Sequence, residues 1–372
     1  MTLAVFARRW LARAPGHNVV PIGVDFAAER LNLVQATLGG ARAQLQAAAS
    51  IPYPTERAAL FDDGTALRRF VREALQSAPF VGTRVVSTLP PAAMRIVPMT
   101  LQLVAGQSEA QAVGKAVREL LGSATAESVV DYYAVRSVDA DSSERQVLVA
   151  IAPLQTVGDY LDALRSSGLH PVALDIGPSA IARLLAALHM QDYEQAVVMV
   201  NVGVDRSFLT VVWGRRLMLD REIDFCEREL VEKISASLGL NPTLALALLR
   251  EHGVGTTERR HANDLGAPPD VGQTLREILH PEFSQLAEEL NRTQVYVASR
   301  TRGSPVTQVY LNGTATRYPN CQQRIAELTG LPVALLDPFA AFDCSACPSI
   351  DRLAGATLAL AAGLALRGEQ DG

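Results

Sequence analysis

The segment "VPIGVDFAAERLNLVQA", residues 20–36, indicates how this chain is organised. It predicts a strand, a tight bend and a second strand, because two apolar runs flank a short polar interruption. The bend follows Asp25 and contains no glycine, although a backbone that lies against a phosphate usually needs one. The segment therefore resembles a nucleotide-holding hairpin in outline but lacks part of its chemistry.

The same outline occurs twice in the chain. A shift of 176 residues lays residues 22–40 over residues 198–216 without a gap. The overlay places Asp25 on Asn201 and Ala27 on Gly203. Each copy predicts strand, bend, strand, turn and third strand, with glycine-containing turns at 39–40 and 214–215. The apolar pattern and the turn positions match, which indicates a duplicated unit.

Helix and strand signals follow each copy. They include an amphipathic stretch at 56–77, a long helix at 271–299, and strands at 83–90 and 307–313. Two sheets of βββαβα order define the architecture that actin, sugar kinases and 70-kDa chaperones share. The predicted fold is α/β, with duplicated actin-like (ribonuclease-H-like) domains and a small inserted α+β subdomain.

The predicted domain boundaries follow from this pattern. The first actin-like domain comprises 18–90, 154–192 and a C-terminal helix at 352–367, and the inserted subdomain comprises 91–153. The second domain covers 193–351, with a helical insertion near 240–300. Residues 1–17 form a basic leader in which Leu3, Phe6 and Trp10 share one helical stripe with Arg8, Arg9 and Arg13 nearby. The leader fits either an interfacial helix on anionic lipid or a solvated tail.

Composition narrows the class of protein. The chain has 372 residues, 48% of them hydrophobic, and a net charge of −5, which argues against binding nucleic acid over a whole face. No apolar run reaches the length of a membrane span, and no signal peptide is evident, so a cytoplasmic location is expected. Cys344 and Cys347 form one CxxC without a second ligand pair, so neither a zinc site nor a redox site is predicted.

Four segments in order resemble the PilM family of type IV pilus assembly proteins, which are related to the division protein FtsA. They are "IGVDFAAERLNLVQ" (22–35), the stretch 144–185 with "GLHPVALD", the helix "LAEELNRTQVYVASR" (286–300) and the stretch 308–342. Relatives in mannose-sensitive pilus biogenesis and the cytoplasmic part of type II secretion protein L are similar too. The resemblance implies a scaffold on the cytoplasmic face of the inner-membrane platform, in contact with other platform proteins.

The resemblance also implies a nucleotide cleft built from three turns, and here those turns are altered. The residues placed there are Asp25, Ala27, Asn32, Asn201, Gly203, Asp205, Asn312 and Gly313. Lost charge-assisted hydrogen bonds cost roughly 1.5–3 kcal/mol each, and a non-glycine residue in a left-handed turn costs about 1–2 kcal/mol. Three or four such changes predict ATP affinity in the millimolar range or none. The expected protein is not an enzyme, needs no cofactor and has no metal site. An ATP-binding protein with slow ATPase activity is the alternative, and a sugar kinase is a distant third.

The partner that the resemblance implies is a short cytoplasmic peptide of a PilN-like membrane protein. In the family it lies between the first actin-like core and the inserted subdomain. The segment "LPPAAMRIVPMTLQLV" (89–104) would wall that groove here, because it is more apolar than a short strand requires. The predicted contact residues are Met94, Arg95, Ile96, Met99 and Leu101. The alternative is that these side chains fill the subdomain's own core.

Overall fold

The computed structural model describes residues 20–37, 42–135, 143–189, 194–255, 271–345, 347 and 352–367. The chain divides into two compact units, one comprising 1–190 with 337–372 and the other 191–336. The predicted leader at 1–17 lies outside the described residues. None of the helices in the described ranges combines the length and the apolar character that crossing a bilayer requires.

The first unit is built on a five-stranded sheet of order β3-β2-β1-β4-β8. Its first half contains β1 (Ile22–Phe26), β2 (Arg30–Thr37), β3 (Gln44–Pro52), α1 (Arg57–Asp62), α2 (Gly64–Gln76) and β4 (Arg84–Thr88). After β5 (Arg95–Gln102), α3 (Glu109–Leu121), β6 (Ser128–Ala134) and β7 (Glu144–Pro153), it continues with α4 (Leu154–Ser166), β8 (His170–Asp175) and α5 (Gly177–Leu188). Side chains of α1, α2 and α4 pack on one face of this sheet in a single apolar core.

The inserted elements form a sheet of their own, of order β5-β7-β6 and antiparallel throughout. Helix α3 covers one face, where Val113 and Val117 pack against Val147 and Val149 of the central strand. A capping box at Ser108 begins α3, because the Ser108 hydroxyl accepts from the Gln111 N–H and the Gln111 side chain accepts from the Ser108 N–H. This small sheet therefore carries its own apolar core.

The second unit repeats the order of the first, with a five-stranded sheet β11-β10-β9-β12-β13. Its elements are β9 (Ala196–Val202), β10 (Ser207–Trp213), β11 (Arg216–Ile223), α6 (Glu227–Leu238), α7 (Pro242–His252), α8 (Val271–Ile278), α9 (His280–Arg300), β12 (Val306–Gly313), α10 (Cys321–Thr329) and β13 (Val333–Leu335). In both sheets the first three strands form an antiparallel meander and the next two pair in parallel. The sheet order thus reproduces the duplication seen in the sequence.

The final helix, α11 (Ala359–Ala365), packs closely on the first unit. A Cβ on Gly23 of β1 would lie 2.0 Å from the Ala361 carbonyl oxygen, and a Cβ on Gly363 would lie 2.1 Å from the Ala180 carbonyl oxygen of α5. Distances this short leave no room for a side chain. The small residues of α11 therefore let its backbone lie against β1 and α5 on the face opposite α2.

Two predictions about boundaries need correction. The second unit ends at Leu336 rather than at residue 351, because the chain after Asp337 bonds to the first sheet. The Leu45 N–H donates to the Asp343 carbonyl at 2.8 Å, and the Asp343 N–H donates to the Ala43 carbonyl at 2.9 Å. The long helix predicted at 271–299 is two helices that meet at Leu279, where Pro281 follows and disfavours a continuous helix.

Candidate functional site

The first hairpin turn joins β1 to β2 and is tied together by a chain of side-chain hydrogen bonds. The Asn32 Nδ2 donates to Asp25 Oδ2 at 3.0 Å, and the Ser50 hydroxyl donates to Asn32 Oδ1 at 2.7 Å. The Arg30 Nε donates to Ser50 Oγ at 2.9 Å. Asp25 and Asn32 are opposite each other in the β1–β2 register and both are buried. The predicted site residues Asp25 and Asn32 thus meet, and they bond to each other.

Two side chains of the following segment hold the turn from outside. The Tyr53 hydroxyl donates to the Ala27 carbonyl at 3.0 Å, and Arg57 Nη1 donates to the Phe26 carbonyl at 3.2 Å. Ala28 and Glu29 are exposed, and they line an open depression of about 500 Å³ together with residues 53–57. Glu29 and Glu56 therefore contribute carboxylates to the lining of this depression.

Burial raises the pKa of the Asp25 carboxyl to about 6, while the hydrogen bond from Asn32 and the charge of Arg57 act in the opposite direction. When the pKa of an acid is higher in the folded protein than in the unfolded chain, the folded protein binds more protons at pH values between the two pKa values. The Asp25 carboxylate therefore lowers the free energy of unfolding at pH values above its folded pKa. That effect disappears as the pH falls towards the ordinary value of 3.8.

Replacement of Asp25 by asparagine is accordingly expected to stabilise the protein at high pH only. A pKa that rises from 3.8 to about 6 corresponds to a loss of roughly 3 kcal/mol in the free energy of unfolding when the carboxyl is ionised. A neutral asparagine amide at the same place should restore part of that loss. Thermal midpoints of the wild type and the Asp25→Asn variant should differ at pH about 7.5 and converge at pH about 4. A constant difference across that range would show that the carboxyl of Asp25 keeps an ordinary pKa.

The second hairpin turn joins β9 to β10 and also uses its polar groups internally. The Gly203 N–H donates to Ser207 Oγ at 3.1 Å. The Gly203 carbonyl accepts from the Glu227 N–H at 3.0 Å, and the Val204 carbonyl accepts from the Arg228 N–H at 2.9 Å. A Cβ at Gly203 would lie 2.1 Å from the Arg206 carbonyl oxygen, so only glycine fits. This turn is thus anchored to the first amides of α6.

The remaining predicted residues of the second unit separate into two groups. Asp205 is mostly exposed and pairs with Arg228, with 3.2 Å between Oδ1 and Nε, so it does not join the other site residues. Asn201 and Asn312 are neighbours at the ends of the parallel strands β9 and β12, and Asn312 Nδ2 donates to Asn201 Oδ1 at 3.0 Å. Gly313 has φ +75, and a Cβ there would lie 2.1 Å from the Val202 carbonyl oxygen. This glycine is required by the turn itself.

A buried pair beside this turn was not predicted from the sequence. The Tyr318 hydroxyl donates to Glu227 Oε2, and Glu227 is 5% exposed. Burial and the Glu227 carboxylate both raise the pKa of the Tyr318 phenol. The two residues are 91 positions apart, and no motif joins them. The pair fixes the position of the first turn of α6, whose amides hold the second hairpin.

The inserted sheet changes the prediction for the partner site. Val97, Met99, Leu101 and Leu103 pack on the core under α3, and Leu101 is 6% exposed. Met94 packs against the core of the first actin-like sheet instead. Met99 and Leu101 therefore belong to the subdomain's interior, because alternate side chains of β5 point to opposite faces. Arg95 is exposed, and the alternation of the strand places it on the same side as Met99.

The opposite face of the inserted sheet keeps accessible apolar surface. It carries Ile96, Pro98 and Tyr133, of which Pro98 is exposed and the other two are half-buried. The strand register places Ile96 and Asp131 on either side of Ala150, and Pro98 and Tyr133 on either side of Leu148. We call Ile96, Pro98, Asp131 and Tyr133 the open face of the insert. Ile96 is the only predicted contact residue that belongs to it.

A charged cluster lies next to the open face. Arg183 Nη2 pairs with Asp175 Oδ2 at the end of β8, and Arg367 Nη1 lies 3.3 Å from the same oxygen. The pKa of Asp131 is raised mainly by burial, with smaller electrostatic effects from Arg367 and Asp175. The charges of Arg367 and Asp175 thus act on Asp131 of the open face, and Asp175 is the last residue of β8, the edge strand of the first sheet. Sequence reasoning missed this cluster because its members come from three separate segments, β8, α5 and the residues after α11.

This chain is similar in sequence and in fold to several known proteins. The sequence model of the family described as "Type IV pilus assembly protein PilM" matches residues 23–369. A chain of the solved PilM–PilN type IV pilus biogenesis complex is 22% identical, with a TM-score of 0.70 over 94% of this chain and 99% of that chain. The ethanolamine utilization protein EutJ from Carboxydothermus hydrogenoformans is 12% identical, with a TM-score of 0.49 over 98% and 93%. MreB 5 of Spiroplasma citri bound to AMPPNP is 9% identical, with a TM-score of 0.47 over 95% and 97%.

The similarity to the first of these structures confirms the predicted fold class of duplicated actin-like domains. The family match extends from the first hairpin to the segment after α11 and so includes both units and the insert. It also confirms the resemblance that the four sequence segments indicated. The chain belongs to the PilM family of type IV pilus assembly proteins.

Proposed function

We propose that this protein is a scaffold of the type IV pilus assembly platform that binds the cytoplasmic peptide of a PilN-like protein and does not use ATP. Two observations carry the proposal: the open face of the insert has an exposed and two half-buried apolar side chains, and β8 is an edge strand of the first sheet. PilM is complexed with PilN in the solved structure that this chain resembles. That complex supports the same class of partner here.

Three features of the first unit suit an extended peptide. Strand β8 is the edge of its sheet, so a peptide that adds to it gains main-chain hydrogen bonds. Ile96, Pro98 and Tyr133 offer apolar contact on the open face of the insert. Asp131 and the Asp175–Arg183–Arg367 cluster supply charges of both signs at one end. A peptide with apolar residues at alternate positions and polar groups at one end matches this surface.

The described turns support a protein that works without nucleotide. The side chain of Asn32 is engaged by Asp25 and Ser50, the Gly203 N–H by Ser207, and the Asn201 side chain by Asn312. The Gly203 N–H has a single hydrogen and must leave Ser207 before it can bind a phosphate, whereas the amides of Asn32 and Asn201 are held in fixed orientations by their partners. Replacement of one bond by another gains little net free energy, about 1 kcal/mol per bond. These turns therefore serve as architecture, and the protein would hold no nucleotide in the cell.

ATP binding with slow hydrolysis is the second candidate. Asp25, Gly203 and Gly313 are retained, and Gly313 keeps the positive φ that its turn requires. The buried oxygen Asn312 Oδ1 has no hydrogen-bond partner among the described residues, so a ligand atom would be favoured there. Measurement of ATP binding separates the two candidates.

The proposed location is the cytoplasmic face of the inner membrane, where the PilN-like protein would hold the chain. The resulting role is in pilus biogenesis and in the twitching motility that pili support. The test is fluorescence polarisation with a labelled N-terminal peptide of the PilN-like protein from the same organism. Saturable binding in the micromolar range or tighter is expected, and a scrambled peptide should not bind. Equal binding of both peptides would contradict the proposal.

A further inference from the structure

One edge of the first unit is basic although the chain as a whole is acidic. The chain has 34 Lys and Arg against 39 Asp and Glu, and its net charge is −5. On the outer face of α2 and at the start of β4, however, positive charge predominates. Four arginines are exposed there: Arg68, Arg69, Arg72 and Arg84. Among the described residues none of the four forms an ion pair, and Glu73 is the one acidic residue of α2.

Hydrogen bonds show that these arginines and the end of α4 lie at one edge. Arg68 Nε donates to the Ser166 carbonyl at 2.7 Å, which joins α2 to the last turn of α4. The His170 N–H donates to the Thr83 carbonyl at 2.7 Å, and Arg84 is opposite His170 in the β4–β8 register. The edge therefore contains Arg68, Arg69, Arg72, Arg84, Arg165 and His170, all exposed, and of these Arg165 pairs with Asp162 at 3.0 Å. We call these six residues the basic edge.

An exposed apolar side chain lies at the same edge. Val81, in the loop between α2 and β4, is 47% exposed. Gln35 Nε2 donates to the carbonyls of both Val81, at 2.8 Å, and Val20, at 3.2 Å. Val20 follows the leader, whose residues lie outside the described ranges and include Arg8, Arg9, Arg13 and Trp10. Val20 and Val81 thus lie close together, joined through the side chain of Gln35.

We propose that the basic edge binds the surface of an anionic lipid bilayer. Arg68, Arg69, Arg72 and Arg84 form no ion pair among the described residues, and basic side chains beside an exposed apolar one are typical of interfacial membrane binding. Each basic residue near an anionic membrane adds an attraction that falls off within a Debye length. An acidic protein surface would match the charges but would leave the exposed side chain of Val81 without a role. This contact is separate from the proposed peptide binding, so either can fail without the other.

The test uses the full chain and sedimentation with vesicles of phosphatidylcholine, alone or mixed with phosphatidylglycerol, without peptide. The wild type is expected to bind the mixed vesicles and not the neutral ones. The triple variant Arg69→Glu, Arg72→Glu, Arg84→Glu should bind about 30-fold more weakly or worse. A control with the same charge change, Arg118→Glu, Arg216→Glu, Arg250→Glu, replaces exposed arginines elsewhere and should bind within about threefold of the wild type.

Thermal midpoints and two further variants complete the test. Thermal midpoints show whether the triple variant is folded, and Arg69→Gln, Arg72→Gln, Arg84→Gln is a milder substitute that should lower binding in the same direction. The leader variant Arg8→Glu, Arg9→Glu, Arg13→Glu should reduce binding only in part. Absence of wild-type binding to mixed vesicles would overturn the proposal and favour an acidic protein partner. Equal loss in the triple variant and the control, or loss in the leader variant alone, would overturn it as well.

Discussion

Replacement of Ile96 by aspartate is expected to weaken binding of the PilN-like peptide about 100-fold and to leave the protein folded. Ile96 is half-buried on the open face of the insert and is absent from the core under α3. A carboxylate there would lose its water when an apolar peptide covers it, and that desolvation opposes binding. Fluorescence polarisation of the labelled peptide measures the loss of binding, and the thermal midpoint shows whether the variant is folded.

Met99 provides the matched control on the same strand. It packs on the core under α3, three residues from Ile96 and on the other face. The Met99→Asp variant places a charge in that core, and we expect it to unfold the insert at a cost of about 3 kcal/mol or more. Normal peptide binding by a folded Ile96→Asp variant would move the partner site elsewhere. A folded Met99→Asp variant that fails to bind would instead restore the first prediction of a groove lined by Met99.

The second large effect is expected from glycine in α11. Gly363→Ala adds a Cβ that would lie 2.1 Å from the Ala180 carbonyl oxygen and 2.5 Å from its carbon. Backbone atoms of α5 cannot yield as a flexible side chain would, so α11 must move away from α5. The sheet face opposite α2 is then opened, and we expect a loss of at least about 3 kcal/mol or failure to fold.

Gly158 of α4 is the control for this substitution. A Cβ at Gly158 would meet no atom within 4 Å, so the change to alanine removes backbone freedom without a clash. We expect Gly158→Ala to stabilise α4 by about 0.5–1 kcal/mol. The midpoints of urea unfolding of Gly363→Ala and Gly158→Ala test both expected changes in stability. If Gly363→Ala is as stable as the wild type, the close contact between α11 and α5 is not present in the protein.

The duplication and the hairpins could be predicted from the sequence because they depend on local patterns. Strand alternation and turn residues fix where β1, β2, β9 and β10 begin and end, and these signals survive when side chains diverge. The pairing of Asp25 with Asn32 follows from the hairpin register. Such features need only neighbouring residues.

Other features depend on contacts that a sequence does not display. Which of Ile96 and Met99 faces the core depends on the register of β5, and a shift by one residue exchanges the two faces. The Asp175 cluster requires β8, α5 and the end of the chain to meet. The second unit ends earlier than predicted because backbone hydrogen bonds of Asp343 and Leu45 join the segment after residue 337 to the first unit. Apolar content predicted a surface near 89–104, but it did not distinguish the inner face from the outer.

Calorimetric titration of the purified chain with ATP and Mg²⁺ tests the proposed function most directly. The same preparation should bind the PilN-like peptide, which shows that the protein is intact. Because the hairpin groups are engaged within the chain, we expect either no heat of ATP binding or a Kd of about a millimolar or weaker. A micromolar Kd for ATP would contradict the proposal of a scaffold without nucleotide and would favour the ATP-binding alternative.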